Sequence, residues 1–263
     1  MAGKILLVAN WKMHMNVSQA SLYIHRLQER TRIRRTIETI IAPTMLALQP
    51  LSVQIDRRKF RLAAQNAYHK DEGAFTGEVS FTMLRDLVHY VLVGHSERRK
   101  YFHEDLEMVR DKVAAAIRNE ITPIICVGET ENEHKEGHTK RVLHDQVTTA
   151  LANLTAGEVR DVIFAYEPLW AITTFGGQYA KPDEVKARMD YIREQIAGLY
   201  GEKVAKEVRV LYGGSVDDTT VRGYLEIDGC NGALVGAASL NPYTFAAIID
   251  AAYRLQHELG NED

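Results

Sequence analysis

Three chemically distinct groups each follow a short apolar run in this chain. Glu167 follows residues 162–166 and is itself followed by Pro168, His95 follows 90–94, and Lys12 follows 5–9 by way of Asn10 and Trp11. A carboxylate, an imidazole and an ammonium group offer a base, a second acid–base group and a cation, the parts of a proton-transfer site. Each also has a plainer reading: Glu167 ends a strand, His95 is a hydrogen-bonded core histidine, and Lys12 is surface charge. Two further apolar runs end in Gly213-Gly214-Ser215 and in Gly236-Ala237. Glycine lets the backbone come close to a ligand, and peptide N–H groups at a helix start suit an anion. A lone Gly-Gly is usually a turn, so it is the pair of such ends that suggests a phosphate site.

These groups need elements that bring them together. Strands are expected at 5–10, 37–42, 61–65, 90–94, 122–127, 162–167, 208–212 and 231–235. They are rich in Val, Ile, Leu and Ala without polar alternation, the pattern of strands buried on both faces. Between them lie helical patterns at 18–33, 45–56, 80–87, 105–119, 138–153, 183–199, 216–226 and 242–258. Ser80, Pro182-Asp183 and Asn241-Pro242 supply start signals, and Gly198 and Gly201 break the pattern near the end of the sixth helix. Strict alternation of strand and helix predicts an α/β protein with a closed (β/α)8 barrel as a single domain over 1–263, close to the usual size of about 250 residues. No Gly-x-Gly-x-x-Gly follows a strand, which leaves the dinucleotide-binding open sheet with little support. In such barrels chemistry sits at the C-terminal ends of the strands, where all of the groups above fall.

Composition narrows the partners. A net charge of −3 with 25% charged residues favours neither nucleic acid nor an acidic surface. The densest basic run, 30–35, follows an amphipathic helix and reads as a solvated helix end. Two cysteines, Cys126 and Cys230, make no disulfide framework, so a reducing compartment is expected. The first apolar run is too short for a signal peptide, and none approaches the roughly 18 residues of a membrane span, so a cytoplasmic protein with no membrane partner is expected. His134 and His138 are four apart, but the polar surroundings and Gly137 read as an exposed helix start, and no metal or cofactor is expected. Cys126 lies at a strand end without an activating partner, which suggests packing.

Several motifs carry a family likeness. Asn10-Trp11-Lys12-Met13, 73–78 (Gly-Ala-Phe-Thr-Gly-Glu), 94–99 (Gly-His-Ser-Glu-Arg-Arg), 125–129 (Ile-Cys-Val-Gly-Glu), 165–172 (Ala-Tyr-Glu-Pro-Leu-Trp-Ala-Ile) and 211–216 (Leu-Tyr-Gly-Gly-Ser-Val) closely resemble triosephosphate isomerases, in order and at similar spacing. The resemblance implies an aldose–ketose isomerase of central carbon metabolism acting on a small phosphorylated sugar. It implies Glu167 as the base and His95 as the group that moves protons between the substrate oxygens. It further implies Lys12 and Asn10 at the enediolate, with Glu97, Ser96 and Cys126 in support. A histidine kept neutral by a helix N-terminus is a known feature of this same family, and a helix starting at Ser96 would do so here. Phosphate would meet Thr173, Gly214, Ser215, Gly236 and Ala237. Thr76 corresponds to the threonine that, in the family, enters a neighbouring subunit, which implies a homodimer.

The closing loop departs from that pattern. Residues 171–182 read Ala-Ile-Thr-Thr-Phe-Gly-Gly-Gln-Tyr-Ala-Lys-Pro, about two residues longer than in the family, with Thr173 where a phosphate-facing glycine is usual. A β-branched residue resists close approach, and the extra glycines at 176 and 177 raise the entropy lost on closing. A less populated closed state, or a phosphate N–H taken from Gly176 or Gly177, is expected. Ala237 stands where the family has a second glycine, a milder change. Two alternatives remain open: an isomerase of four-carbon ketose phosphates with the same catalytic groups, and a catalytically silent phosphate-binding barrel.

Overall fold

The computed structural model describes residues 4–172 and 179–259. Eight parallel strands close into a barrel in sequence order, β1 (Ile5–Asn10), β2 (Ile37–Ala42), β3 (Phe60–Ala64), β4 (Tyr90–Val93), β5 (Thr122–Val127), β6 (Ile163–Tyr166), β7 (Arg209–Tyr212) and β8 (Gly232–Val235). β1 closes the ring on β8, with Leu6 opposite Gly232 and Val8 opposite Leu234. The unbroken apolar runs have a direct cause, because both faces of each strand are covered. Leu6 and Val8 join Ile40, Leu92, Ile163 and Leu234 in the cluster inside the barrel. Leu7 and Ala9, one residue along, pack outward against the helices. Closure of the ring leaves no strand edge unpaired among the described strands.

The helices between the strands are α1 (Val17–Arg30), α2 (Met45–Ser52), α3 (Phe81–Leu84), α4 (Ser96–Phe102), α5 (Leu106–Arg118), α6 (Glu131–Lys135), α7 (Thr139–Leu151), α8 (Pro182–Tyr200), α9 (Glu202–Glu207), α10 (Val221–Leu225) and α11 (Pro242–Leu259). Several start where their caps dictate. Asn16 and Gln19 form a reciprocal capping box on α1, and Ser80 accepts the N–H of Met83 at α3. Pro182 takes the first turn of α8, Gly198 is tolerated within it, and Gly201 ends it at φ +86°. The helix expected over 216–226 shrinks to α10. Asp217 Oδ1 takes the N–H groups of Thr219 and Thr220, so the side chain turns the backbone before the helix can begin. The short α6 and α9 carry too little periodicity to read, although Thr130 and Glu133 make a capping box on α6.

Candidate active site

The C-terminal ends of the strands surround a cavity of about 280 Å³. Asn10, Lys12, His95 and Glu167 line one side; Gly213, Gly214, Ser215, Gly236 and Ala237 line the other. Ile172 and Leu234 add apolar wall.

Glu167 is fixed through its backbone and crowded at its side chain. Its N–H donates to Val127 O at 2.7 Å, and Gly213 N–H donates to Tyr166 O at 2.8 Å, so β5 and β7 grip the strand end from both sides. Pro168 then stops the pairing. The approach is so close that a Cβ on Gly128 would lie 1.9 Å from Glu167 O, and one on Gly213 would lie 2.7 Å from Glu167 Cγ. Glu167 is 2% exposed. Its Oε2 accepts the N–H of Ser96 at 3.3 Å, and its Oε1 lies 3.2 Å from His95 Nε2.

His95 caps α4. Its Nδ1 accepts the N–H of Glu97 at 3.3 Å, which places the neutral ring's proton on Nε2, the nitrogen that faces Glu167. Burial pushes the imidazole down, but the adjacent Glu167 carboxylate outweighs burial, with Glu97 adding to it, and the ring sits above its ordinary value. The helix N-terminus by itself would have put it below, as expected from the sequence. The difference arises because Glu167 is the histidine's partner in this arrangement. For Glu167, burial pushes upward, yet His95, the Ser96 N–H and Lys12 together bring the carboxyl below its usual range.

Lys12 adopts φ +51°, the left-handed region that a residue with a side chain seldom occupies. Its N–H donates to Asn10 Oδ1 at 3.0 Å, and the Gln65 amide donates to Lys12 O at 2.8 Å and to Ala42 O at 2.9 Å. The ammonium donates to Glu97 Oε1 at 2.7 Å. The turn is therefore held at both ends, with the cation aimed into the cavity and Asn10 buried beside it.

The glycine-rich wall is arranged differently. Both the N–H and the hydroxyl of Ser215 donate to Ala171 O, at 3.0 and 2.8 Å. The group expected to meet a phosphate is thus engaged with the first turn of the closing segment. Thr173, expected in the same role, lies outside the described residues, as do Gly176 and Gly177. Cys126 lies inside the barrel against Glu167, where burial pushes its thiol well up and leaves it inert. Thr76 is exposed on the loop between β3 and α3 and does not line the cavity. His138 is exposed, whereas His134 is not the free helix start expected: it stacks on Trp170 at 4.4 Å, between Glu129 and Glu184.

Sequence reasoning passed over three positioning residues. Glu129, wholly buried, accepts from Tyr166 OH and from Trp170 Nε1 and so anchors the start of the closing segment. Gln65 holds the Lys12 turn. Glu104 accepts from Gly94 N–H, Arg98 and Lys112 behind the His95 turn. A glutamate amid apolar strand ends is the signal that could have marked Glu129; nothing in the local pattern marks Gln65 or Glu104.

The chain matches the family model described as triosephosphate isomerase over residues 5–252. Among similar curated proteins, the triosephosphate isomerase of Chloroherpeton thalassium is 41% identical over 251 residues, covering 95% of this chain and 99% of the relative. Those of Thermodesulfovibrio yellowstonii and Carboxydothermus hydrogenoformans are each 39% identical over 247 residues, covering 94% of this chain and 98% of each relative.

Proposed function

Since the chain belongs to the triosephosphate isomerase family, an aldose–ketose isomerase family whose reaction interconverts dihydroxyacetone phosphate and D-glyceraldehyde 3-phosphate, we propose how this chain's residues perform that reaction. The observation that carries the proposal is convergence: Glu167, His95 and Lys12 arrive from β6, β4 and β1 at one cavity whose opposite wall is glycine and serine backbone.

Glu167 is the base. In the present arrangement its contacts with His95 and Ser96 weaken it. Turning the carboxylate from them toward substrate removes that stabilisation and leaves burial between Ile172 and Leu234 to strengthen it. His95, released from the pull of Glu167, is then a neutral ring that donates from Nε2 to the substrate oxygen and shuttles a proton between the two oxygens. Lys12 neutralises the developing enediolate, and the Asn10 amide donates to the same region. Glu97 positions Lys12, while Ser96 and Cys126 pack against the base.

The phosphate is held by N–H groups of Gly214, Ser215, Gly236 and Ala237, with Thr173 from the closing loop. Ser215 must exchange Ala171 O for the phosphate, so arrival of the anion loosens the hinge from which the closing loop starts. A second copy of the chain completes the site in a homodimer, through Thr76 on a loop whose tip, Phe75, is 39% exposed. No described helix is long and apolar enough to cross a membrane; a cytoplasmic location fits the reaction.

The test is turnover of D-glyceraldehyde 3-phosphate beside tetrulose phosphates. The expected outcome is a kcat/KM that favours the triose phosphate. Preference for the four-carbon substrate would reassign the specificity, and turnover of neither would make the chain a silent phosphate-binding barrel.

A further inference from the structure

The opposite end of the barrel holds a second concentration of charge. The basic run at Arg34-Arg35 precedes β2, and a second run, Arg57-Arg58-Lys59, precedes β3, whose second residue is Arg61. The fold brings both runs and Lys4, at the foot of β1, to one cleft of about 340 Å³, with Glu38 as the one carboxylate among the described residues that line it.

Few of these cations are neutralised. Arg58 pairs with Asp56 and Arg34 with Asp250, while Lys59 donates to a carbonyl, that of Gln28. Among the described residues, Lys4, Arg35, Arg57 and Arg61 have no carboxylate within ion-pair distance. Glu38 is itself occupied, accepting from Tyr90 OH at 2.6 Å. At the neighbouring His89, burial lowers the ring first, and the charges of Arg61 and Arg57 lower it further against a smaller opposing pull from Glu38. A solvated helix end would place such charges apart in water. Here segments distant in sequence gather like charges in a concavity, against their mutual repulsion, on a protein whose net charge is −3.

We infer that this N-terminal cleft is a binding site for a compact polyanion, a small molecule carrying two or more linked or neighbouring phosphoryl groups. Arginine is suited to that role because its planar fork meets phosphate oxygens in pairs. The cations converge on one open cleft of small-molecule size and do not run along a stripe, which favours a compact ligand over a nucleic-acid backbone. Ile33, 47% exposed beside the cations, offers apolar contact to the ligand's carbon skeleton. The site lies at the end of the barrel remote from Glu167, so the two sites fill independently.

Titration calorimetry with inorganic tripolyphosphate tests this on the intact protein. Saturable binding is expected that survives saturation of the active site with dihydroxyacetone phosphate. The double variant Arg35→Glu/Arg57→Glu, both exposed positions, should weaken it at least about tenfold while leaving kcat within about twofold, which also reports that the fold is intact. Loss of all tripolyphosphate binding when dihydroxyacetone phosphate is present would mean that the probe sees only the active site and would overturn the inference. An unchanged Kd in the double variant would do the same. Tighter binding of a long single-stranded oligonucleotide, lost in the same variant, would overturn the assignment to a compact ligand.

Discussion

The two ends of the barrel use charge in opposite ways. At the C-terminal end the charged groups of the cavity and of the turn behind it hold one another: Lys12 holds Glu97 at 2.7 Å, Glu167 faces His95 at 3.2 Å, and Glu104 is clasped by Arg98 and Lys112 at 2.6 and 2.7 Å. At the N-terminal end several cations share a cleft with little to pair with. Partnered charges in a buried setting have a defined position, which is what proton transfer requires. Unpartnered charges at a surface supply field and affinity, and neither depends on one geometry. This contrast is the ground for proposing chemistry at the first end and binding at the second.

Lys12 probes that distinction most strongly. Lys12→Met keeps the apolar stem and removes the charge, and kcat/KM should fall by at least about 10²-fold, the scale of losing one preorganised electrostatic contact in a water-poor site. Normal kinetics for Lys12→Met would reduce Lys12 to packing and erase the difference between the two ends. Gly213→Ala tests position without touching a charge. Its Cβ would press on Glu167 Cγ from 2.7 Å, so kcat should drop about tenfold with KM little changed; an unaffected kcat would show that the carboxylate needs no such confinement.

Glu104 moves stability more than chemistry. Glu104→Gln leaves Lys112 and Arg98 short of a buried partner and should cost about 3 kcal/mol in urea unfolding. Burial acts to raise Glu104, but Lys112 and Arg98 outweigh it and depress the folded carboxyl below 4.5. Its stabilisation is thus present above that pH and lost as pH falls through the lower folded value. Unfolding free energy measured from pH 6 to pH 3 should fall less steeply in Glu104→Gln; equal slopes would place acid sensitivity elsewhere. The smallest effect concerns the long closing loop. Removing two residues within 174–178 should lower the share of enediolate that escapes as methylglyoxal and phosphate by a small factor. No change in that ratio would show that the native loop closes as well as a short one.

The barrel was legible because strands covered on both faces must be continuously apolar, so the runs at 5–10, 37–42 and 122–127 marked β1, β2 and β5 directly. Glu167, His95 and Lys12 stood out because a charge at the end of such a run is rare. What stayed hidden depends on packing between elements. Glu104 reaches Lys112 and the Gly94 turn only once α4 and α5 are packed, and Gln65 meets Lys12 across 53 positions of chain. The helix start at 216 failed because Asp217 competes for backbone N–H groups, a local contest that periodicity does not see. The run at 30–35 read as solvated because its companions at 57–61 come to it only through strand pairing.

If Glu167 takes the carbon-bound proton, exchange of that proton with solvent measures the step. In deuterium oxide, proton NMR should show the native protein placing deuterium on the carbon beside the carbonyl of dihydroxyacetone phosphate. In Glu167→Asp the carboxylate is withdrawn by one methylene, and the rate of incorporation should fall by about 10²-fold or more while the thermal midpoint is unchanged. Incorporation by Glu167→Asp at the native rate would contradict the account and assign the proton to another base.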